Sequence, residues 1–224
     1  LLGARLGDVV FYSWDYYQNH LIEILLPIRE NPNKDILFGI LKGYEFIGFR
    51  GLASHGASIG IILGLFLFQK KFKIKSFLWL LDRLTIPISL GAFFVRIGNF
   101  FNSEIVGKYT GSNFGVVFEN RGEILPRHPA QLYEAIGYLF LFILLRKLYK
   151  TNLRQKEGIF LGVFFLILFG VRFLVEFVKE SQGGIEKFLP YLTTGQWLSI
   201  PFILLGIVLI ILKNKEKKSD SNKI

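Results

Sequence analysis

Cysteine is absent from the 224-residue sequence, which excludes disulfides, thiolate metal sites and a thiol nucleophile supplied by the chain itself. Any thiol used in chemistry here has to arrive with a substrate. Histidine is scarce, at His20, His55 and His128 only, with no His-x-x-x-His pair, so no metal centre is indicated. No apolar run carries a cluster of aspartates, as a phosphatidyl-alcohol transferase would require. The basic residues lack interleaved aromatics, so a net charge of +10 does not point to nucleic acid.

What is abundant is apolar surface: 51% of the residues are hydrophobic and 16% aromatic, gathered in long runs. These read as an integral membrane protein. The runs are Gly51 to Gln69, Ser76 to Val95, Pro129 to Leu145, Gly158 to Val178 and Phe188 to Leu212, each near the roughly 17 to 25 residues a helix needs to cross a bilayer. A sixth, Leu1 to Phe11, is short and has neither the basic start nor the cleavage site of a signal peptide. Because the sequence starts at Leu, an earlier span is expected before it. The expected fold is therefore all-α, a polytopic helical bundle of about seven spans in the full protein. A single transmembrane domain occupies residues 1–212, and a basic tail occupies 213–224.

Lysines and arginines cluster at Lys70 to Lys75, Arg146 to Lys156 and Lys213 to Lys218. Counting spans places all three clusters on one face, which the positive-inside rule makes cytoplasmic, with the C-terminus inside. The segment from Trp14 to Arg50, aromatic and charged, then becomes an interfacial arm on the outer face.

The sequence from Arg96 to Thr110 sets a cation, the amides of Asn99 and Asn102 and the carboxylate of Glu104 against the end of an apolar run. Polar groups at such a depth are costly, and function is the first explanation for them. Arg96 is 20 residues beyond Ser76, roughly 30 Å along a helix. His55 and His128 fall at the outer ends of their runs, and Arg172 lies about two-thirds of the way out. Structural explanations compete with functional ones. Arg172 and Glu176, four apart, can neutralise each other, or Arg172 can fork onto a phosphate. Gly98-Asn99 fits a helix C-cap, or Asn99 and Asn102 donate to phosphate and glycerol oxygens. His55 is either an interfacial histidine or the acceptor of a thiol proton. His128 either caps the next helix, with Arg127 snorkelling to headgroups, or joins the site. Gln131 and Glu134, three apart, support the site from behind. His20, with no motif around it, reads as a surface residue. Gly56, Gly60 and Gly64 read as helix packing.

Four ordered blocks, Ser54-His55-Gly56, Arg96 to Thr110, Arg127-His128-Pro129-Ala130-Gln131-Leu132-Tyr133-Glu134 and Phe169 to Phe177, resemble those of the prolipoprotein diacylglyceryl transferases. These are bacterial membrane enzymes that attach a diacylglyceryl group to a lipoprotein precursor. The resemblance spans Gly3 to about Leu212. It implies transfer of the sn-1,2-diacylglyceryl group from phosphatidylglycerol to the lipobox cysteine of a prolipoprotein, with glycerol phosphate released, as the first step of lipoprotein maturation. It implies a multi-pass protein of the bacterial inner membrane, with the site toward the outer leaflet and no cofactor or metal. His55, Arg96 and Arg172 are the expected catalytic residues. Arg96, Asn99, Asn102, Glu104, Gly107, His128 and Glu176 are the expected substrate-binding residues. The chain departs from the family pattern at Ala57, Leu168 and Lys179, the last replacing an arginine. The competing reading is a membrane transporter or channel for an anionic solute or lipid, against which the absence of an inverted repeat speaks.

Overall fold

A computed structural model describes residues 1–36, 40–48, 51–180 and 191–221, the side chains of residues 41, 54, 55 and 214–221 excepted. The chain folds as two compact units, Leu1–Phe77 and Leu78–Ile224.

In the first unit, α1 (Leu2–Phe11) packs on α4 (Ser54–Lys71). The crossing is close because it is glycine on glycine. A Cβ on Gly60 would come to 3.0 Å from Gly3 Cα, and one on Gly7 would come to 2.6 Å from Gly56 Cα. Gly56 and Gly60 are thus packing residues, as their spacing predicts. A Cβ built on Gly64 would meet nothing within 4 Å, so Gly64 is not part of that close crossing. The Gly56-Ala57-Ser58-Ile59-Gly60 spacing formally matches the Gly-x-Ser-x-Gly pattern of a serine nucleophile. It lies inside α4 rather than on a strand-to-helix elbow, so it lacks the context that chemistry needs.

Between α1 and α4 come two short helices, α2 (Trp14–Tyr17) and α3 (Leu21–Leu25), and an antiparallel hairpin of β1 (Ile28–Ile36) and β2 (Leu41–Phe46). The hairpin pairs Ile28 with Phe46 and Ile36 with Leu41, with an irregularity between Glu30 and Asp35. It corrects the all-α expectation. Asn31-Pro32-Asn33-Lys34-Asp35 has no alternation of apolar and polar residues, so the strand carries no periodic signal. His20 is not a bare surface residue either. Its ring stacks on Tyr16 at 4.3 Å, and its Nε2 lies 3.5 Å from Glu30.

The second unit holds α5 (Phe77–Phe101), α6 (Ala130–Tyr149), α7 (Ile159–Val175) and α8 (Thr194–Ser221). The helices α7 and α8 pack most extensively, and α6 packs on α7. Leu141, Leu145, Ile159, Phe160 and Phe164 form the buried core where α6 ends and α7 begins. Among the described residues two helices, Phe77–Phe101 and Thr194–Lys213, are long and apolar enough to cross a membrane, and α7 is apolar but shorter. Their outward faces carry exposed Phe94, Val95, Leu204 and Val208, the surface expected against lipid tails.

Candidate functional site

The site begins where α5 ends. This helix runs on to Phe101, so Gly98 and Asn99 sit within it rather than capping it, and the C-cap reading fails. Beyond it the backbone turns sharply. Ser103 and Ile105 both adopt left-handed conformations, at φ 55° and 54°, which for β-branched Ile105 costs about 1–3 kcal/mol. Between them stands Glu104, whose amide bonds Asn99 O at 2.9 Å. Its carboxylate accepts from Asn99 Nδ2 at 2.8 Å, while Asn99 Oδ1 accepts from Arg96 at 3.1 Å. The strained turn therefore aims Glu104 back at the helix end.

From Arg96 the polar chain continues into α6. Arg96 Nε lies 2.8 Å from Glu134 Oε2, at an angle that makes it a charge contact rather than a directed hydrogen bond, since that oxygen has no hydrogen-bond partner among the described residues. Glu134 is fully buried, and its other oxygen sits 3.2 Å from Lys179 Nζ. Lys179, itself 4% exposed, reaches Glu176 at 3.5 Å. Gln131, one turn before Glu134, donates to Glu104 O at 2.6 Å and leaves its buried Oε1 unpartnered among the described residues. The three-residue spacing of Gln131 and Glu134 thus delivers both to the site.

Arg172 stands differently. Among the described residues it has no ion pair, and Glu176 pairs with Lys179 instead. Mutual neutralisation of Arg172 and Glu176 is accordingly overturned. The buried Tyr138 is within electrostatic range of Arg96, Arg172 and Glu134. Three cations here face two buried carboxylates, while Glu104 is exposed.

Gly107 is a packing requirement. Its amide bonds His128 O at 3.0 Å, it pairs with Lys179 across an isolated bridge, and a Cβ there would lie 2.8 Å from Val178 O. It locks the loop after α5 to the segments that carry His128 and Lys179. The His128 ring contacts Phe114 and Tyr133, with Nδ1 3.3 Å from the Tyr133 hydroxyl, and makes no side-chain bond to the arginine cluster. Pro129, not His128, precedes the first turn of α6. Arg127 does not snorkel: it is buried, bonds Gly107 O and Glu123, and covers the Tyr109 ring at 3.8 Å. Burial pushes the Glu123 carboxyl up, but its bonds to Arg127 and Arg121 outweigh that and hold it below the ordinary carboxylate range. The Asn102 side chain is exposed and bonds no described residue. His55 begins α4 in the first unit, and its side chain lies outside the described residues.

Sequence reasoning treated Lys179 only as a substitution and passed over Tyr138. The signal for Lys179 was its spacing of three from Glu176 at the end of an apolar helix. Among the described residues no group of His, Asp and Glu is arranged to hold a metal. A row of arginines, amides and an unpaired cation at a helix end is suited instead to an oxyanion such as a phosphodiester.

The family model for prolipoprotein diacylglyceryl transferase matches residues 1–212. Relatives named phosphatidylglycerol–prolipoprotein diacylglyceryl transferase include one from Tolumonas auensis, 43% identical over 217 residues, covering 97% of this chain and 76% of the relative. One from Bacteroides fragilis is 41% identical over 218 residues, with 97% and 75% covered. Another from Chloroherpeton thalassium is 38% identical over 221 residues, with 98% and 74% covered.

Proposed function

The chain belongs to the prolipoprotein diacylglyceryl transferase family, and from that membership we propose that it moves the diacylglyceryl group of phosphatidylglycerol onto the lipobox cysteine of prolipoproteins. In this reaction the cysteine sulfur attacks the glycerol carbon that bears the phosphate ester. A carbon–sulfur bond forms, the carbon–oxygen bond breaks, and glycerol phosphate leaves with the electron pair. The protein has two tasks: to hold the charge that develops on the leaving phosphate and to take the thiol proton.

The observation that carries the reading is Arg172, a cation without a counter-ion among the described residues and, like Arg96, within electrostatic range of Tyr138. Arg96 and Arg172 grip the phosphate, and in a water-poor setting such contacts stabilise a developing oxyanion strongly. Asn99 and Glu104 fix the Arg96 fork, Asn102 reaches the glycerol hydroxyls, and Gly107 and His128 shape the loop over the headgroup. Glu176, drawn to Lys179, leaves the Arg172 fork to the phosphate. His55, on the resemblance of its Ser-His-Gly block, receives the thiol proton.

The apolar helices support a multi-pass protein of the bacterial inner membrane. The arginine cluster then faces the outer leaflet, and Arg146, Lys147 and the tail from Lys213 face the cytoplasm. A cysteine introduced at Ser112 reacts with an impermeant thiol reagent from outside and one at Ser219 does not. The reverse labelling overturns that orientation.

The direct test mixes purified full-length protein with a lipobox peptide and phosphatidylglycerol, following peptide mass and glycerol phosphate together. A diacylglyceryl gain that requires the peptide cysteine supports the assignment. A folded sample that yields neither product overturns it and favours transport of an anionic solute.

A further inference from the structure

We propose that Lys179 is a positioning residue that keeps Glu176 off Arg172, so that Arg172 stays open to the anionic headgroup. The inference rests on the reading above that Arg172 takes the phosphate. Glu176 follows Arg172 by four residues in continuous helical geometry, with φ −60° and ψ −23° at Glu176 and its amide bonded to Arg172 O at 3.1 Å. Side chains four apart on a helix are neighbours, and this pair is opposite in charge. Left alone, the glutamate would close onto the arginine and compete with any phosphate.

Two features of the structure draw the carboxylate elsewhere. The first is Lys179, buried and three residues on, whose Nζ lies 3.5 Å from Glu176 Oε2 and 3.2 Å from Glu134 Oε1. One ammonium thereby holds both buried carboxylates of the cluster. The second is Gly195 in the first turn of α8. A Cβ built there would stand 2.5 Å from each Glu176 carboxylate oxygen, so the carboxylate occupies the space a side chain would fill. It also sits at the N-terminus of a long helix, where the dipole favours an anion. Lys179 thus acts through Glu176 and needs no contact with the lipid.

The test uses the full chain with phosphatidylglycerol in detergent micelles and a lipobox peptide. Lys179→Gln raises KM for phosphatidylglycerol about tenfold, the worth of one charge-assisted contact. Adding Glu176→Gln to it restores KM to within about threefold of wild type, because the competitor is neutralised. A residue that served packing alone would leave the double variant at least as impaired. Lys179→Arg keeps the charge and keeps KM. Gly195→Ala gives an independent route should Lys179→Gln fail to fold: the new methyl displaces the flexible end of Glu176, and KM rises in the same direction. The proposal is overturned by an unchanged KM in folded Lys179→Gln or Gly195→Ala, or by a double variant without recovery. Arg172→Gln separates the two levels. If its KM equals that of wild type, the phosphate reading itself fails and this inference with it; if its KM rises while the double variant shows no recovery, only the Lys179 proposal falls.

Discussion

Asp82 and Glu134 are both carboxylates buried in the same helical unit, yet their surroundings differ in kind. Asp82, in the second turn of α5, accepts from the amides of Gly158 at 2.6 Å and Leu161 at 2.8 Å, and so caps the start of α7 from a neighbouring helix. The adjoining interior is the apolar cluster around Phe160. Arg83 beside it lies between the rings of Trp79 and Tyr149 and donates to Arg154 O through Nη2, while its buried Nη1 has no hydrogen-bond partner among the described residues. Glu134 answers to two cations and leaves one oxygen without a directed bond, while Gln131 keeps a bare carbonyl and Arg172 stands unpaired among the described residues. Arg96 is 14 residues from Asp82, roughly 21 Å along α5. The carboxylate at one end of the helix is thus spent on structure, and the one at the other end holds some capacity in reserve. Capacity left unmet inside a protein is costly, and a ligand that meets it gains affinity.

The largest expected effect falls at the unmet end. Arg96→Ala lowers diacylglyceryl transfer about 10³-fold, at the upper range for losing a donor to a developing oxyanion, and a melting temperature near wild type shows that the fold survives. Near-full activity in that variant would dissolve the functional contrast between the ends. Arg172→Gln follows with a loss of about 10²-fold, measured in the same peptide mass assay. At the Asp82 end the order of effects reverses. Asp82→Ala strands two amides at the start of α7 and costs about 1–3 kcal/mol of stability, read as a lower melting midpoint, while the folded fraction still turns over.

The smallest effect separates satisfaction from mere location. Glu123 belongs to the loop that follows α5, where it is paired with Arg127 and Arg121, and Arg127 in turn bonds Gly107 O. Its folded carboxyl titrates below the ordinary value, so the stability it adds is fully present above roughly pH 4.3 and is lost as pH falls through the lower folded value. Hydrogen exchange of the 107–127 amides should quicken on acidification in wild type and less so in Glu123→Gln. An identical acid response in both would remove Glu123 as the cause.

Much of this was legible in the residues. Apolar runs located α1, α4, α6 and α7 to within about four positions, because length and hydropathy act locally. By contrast, α5 runs on six residues past the expected Val95 and α8 nine past the expected Leu212, while the expected start at Phe188 lies outside the described residues. Arg96, Asn99 and Glu104 were visible as a polar group closing such a run, and Gln131 with Glu134 through their common helix face. The hairpin at Ile28–Phe46 was hidden because its first strand lacks alternation and its register is irregular between Glu30 and Asp35. The pairing choices were hidden too. Nothing in the spacing of Arg172, Glu176 and Lys179 says which cation wins the glutamate; that depends on Glu134 from another helix and on the space left by Gly195. Asp82 escaped notice because its partners are backbone amides 76 and 79 residues away.

The most direct measurement sets Arg172→Gln beside Asp82→Ala, recording transfer to a lipobox peptide per folded molecule together with the melting midpoint. The account predicts that Arg172→Gln melts like wild type and transfers about 10²-fold more slowly, while Asp82→Ala melts earlier and transfers at the wild-type rate per folded molecule. An Arg172→Gln protein that transfers normally, or an Asp82→Ala protein that is stable but inactive, would contradict it.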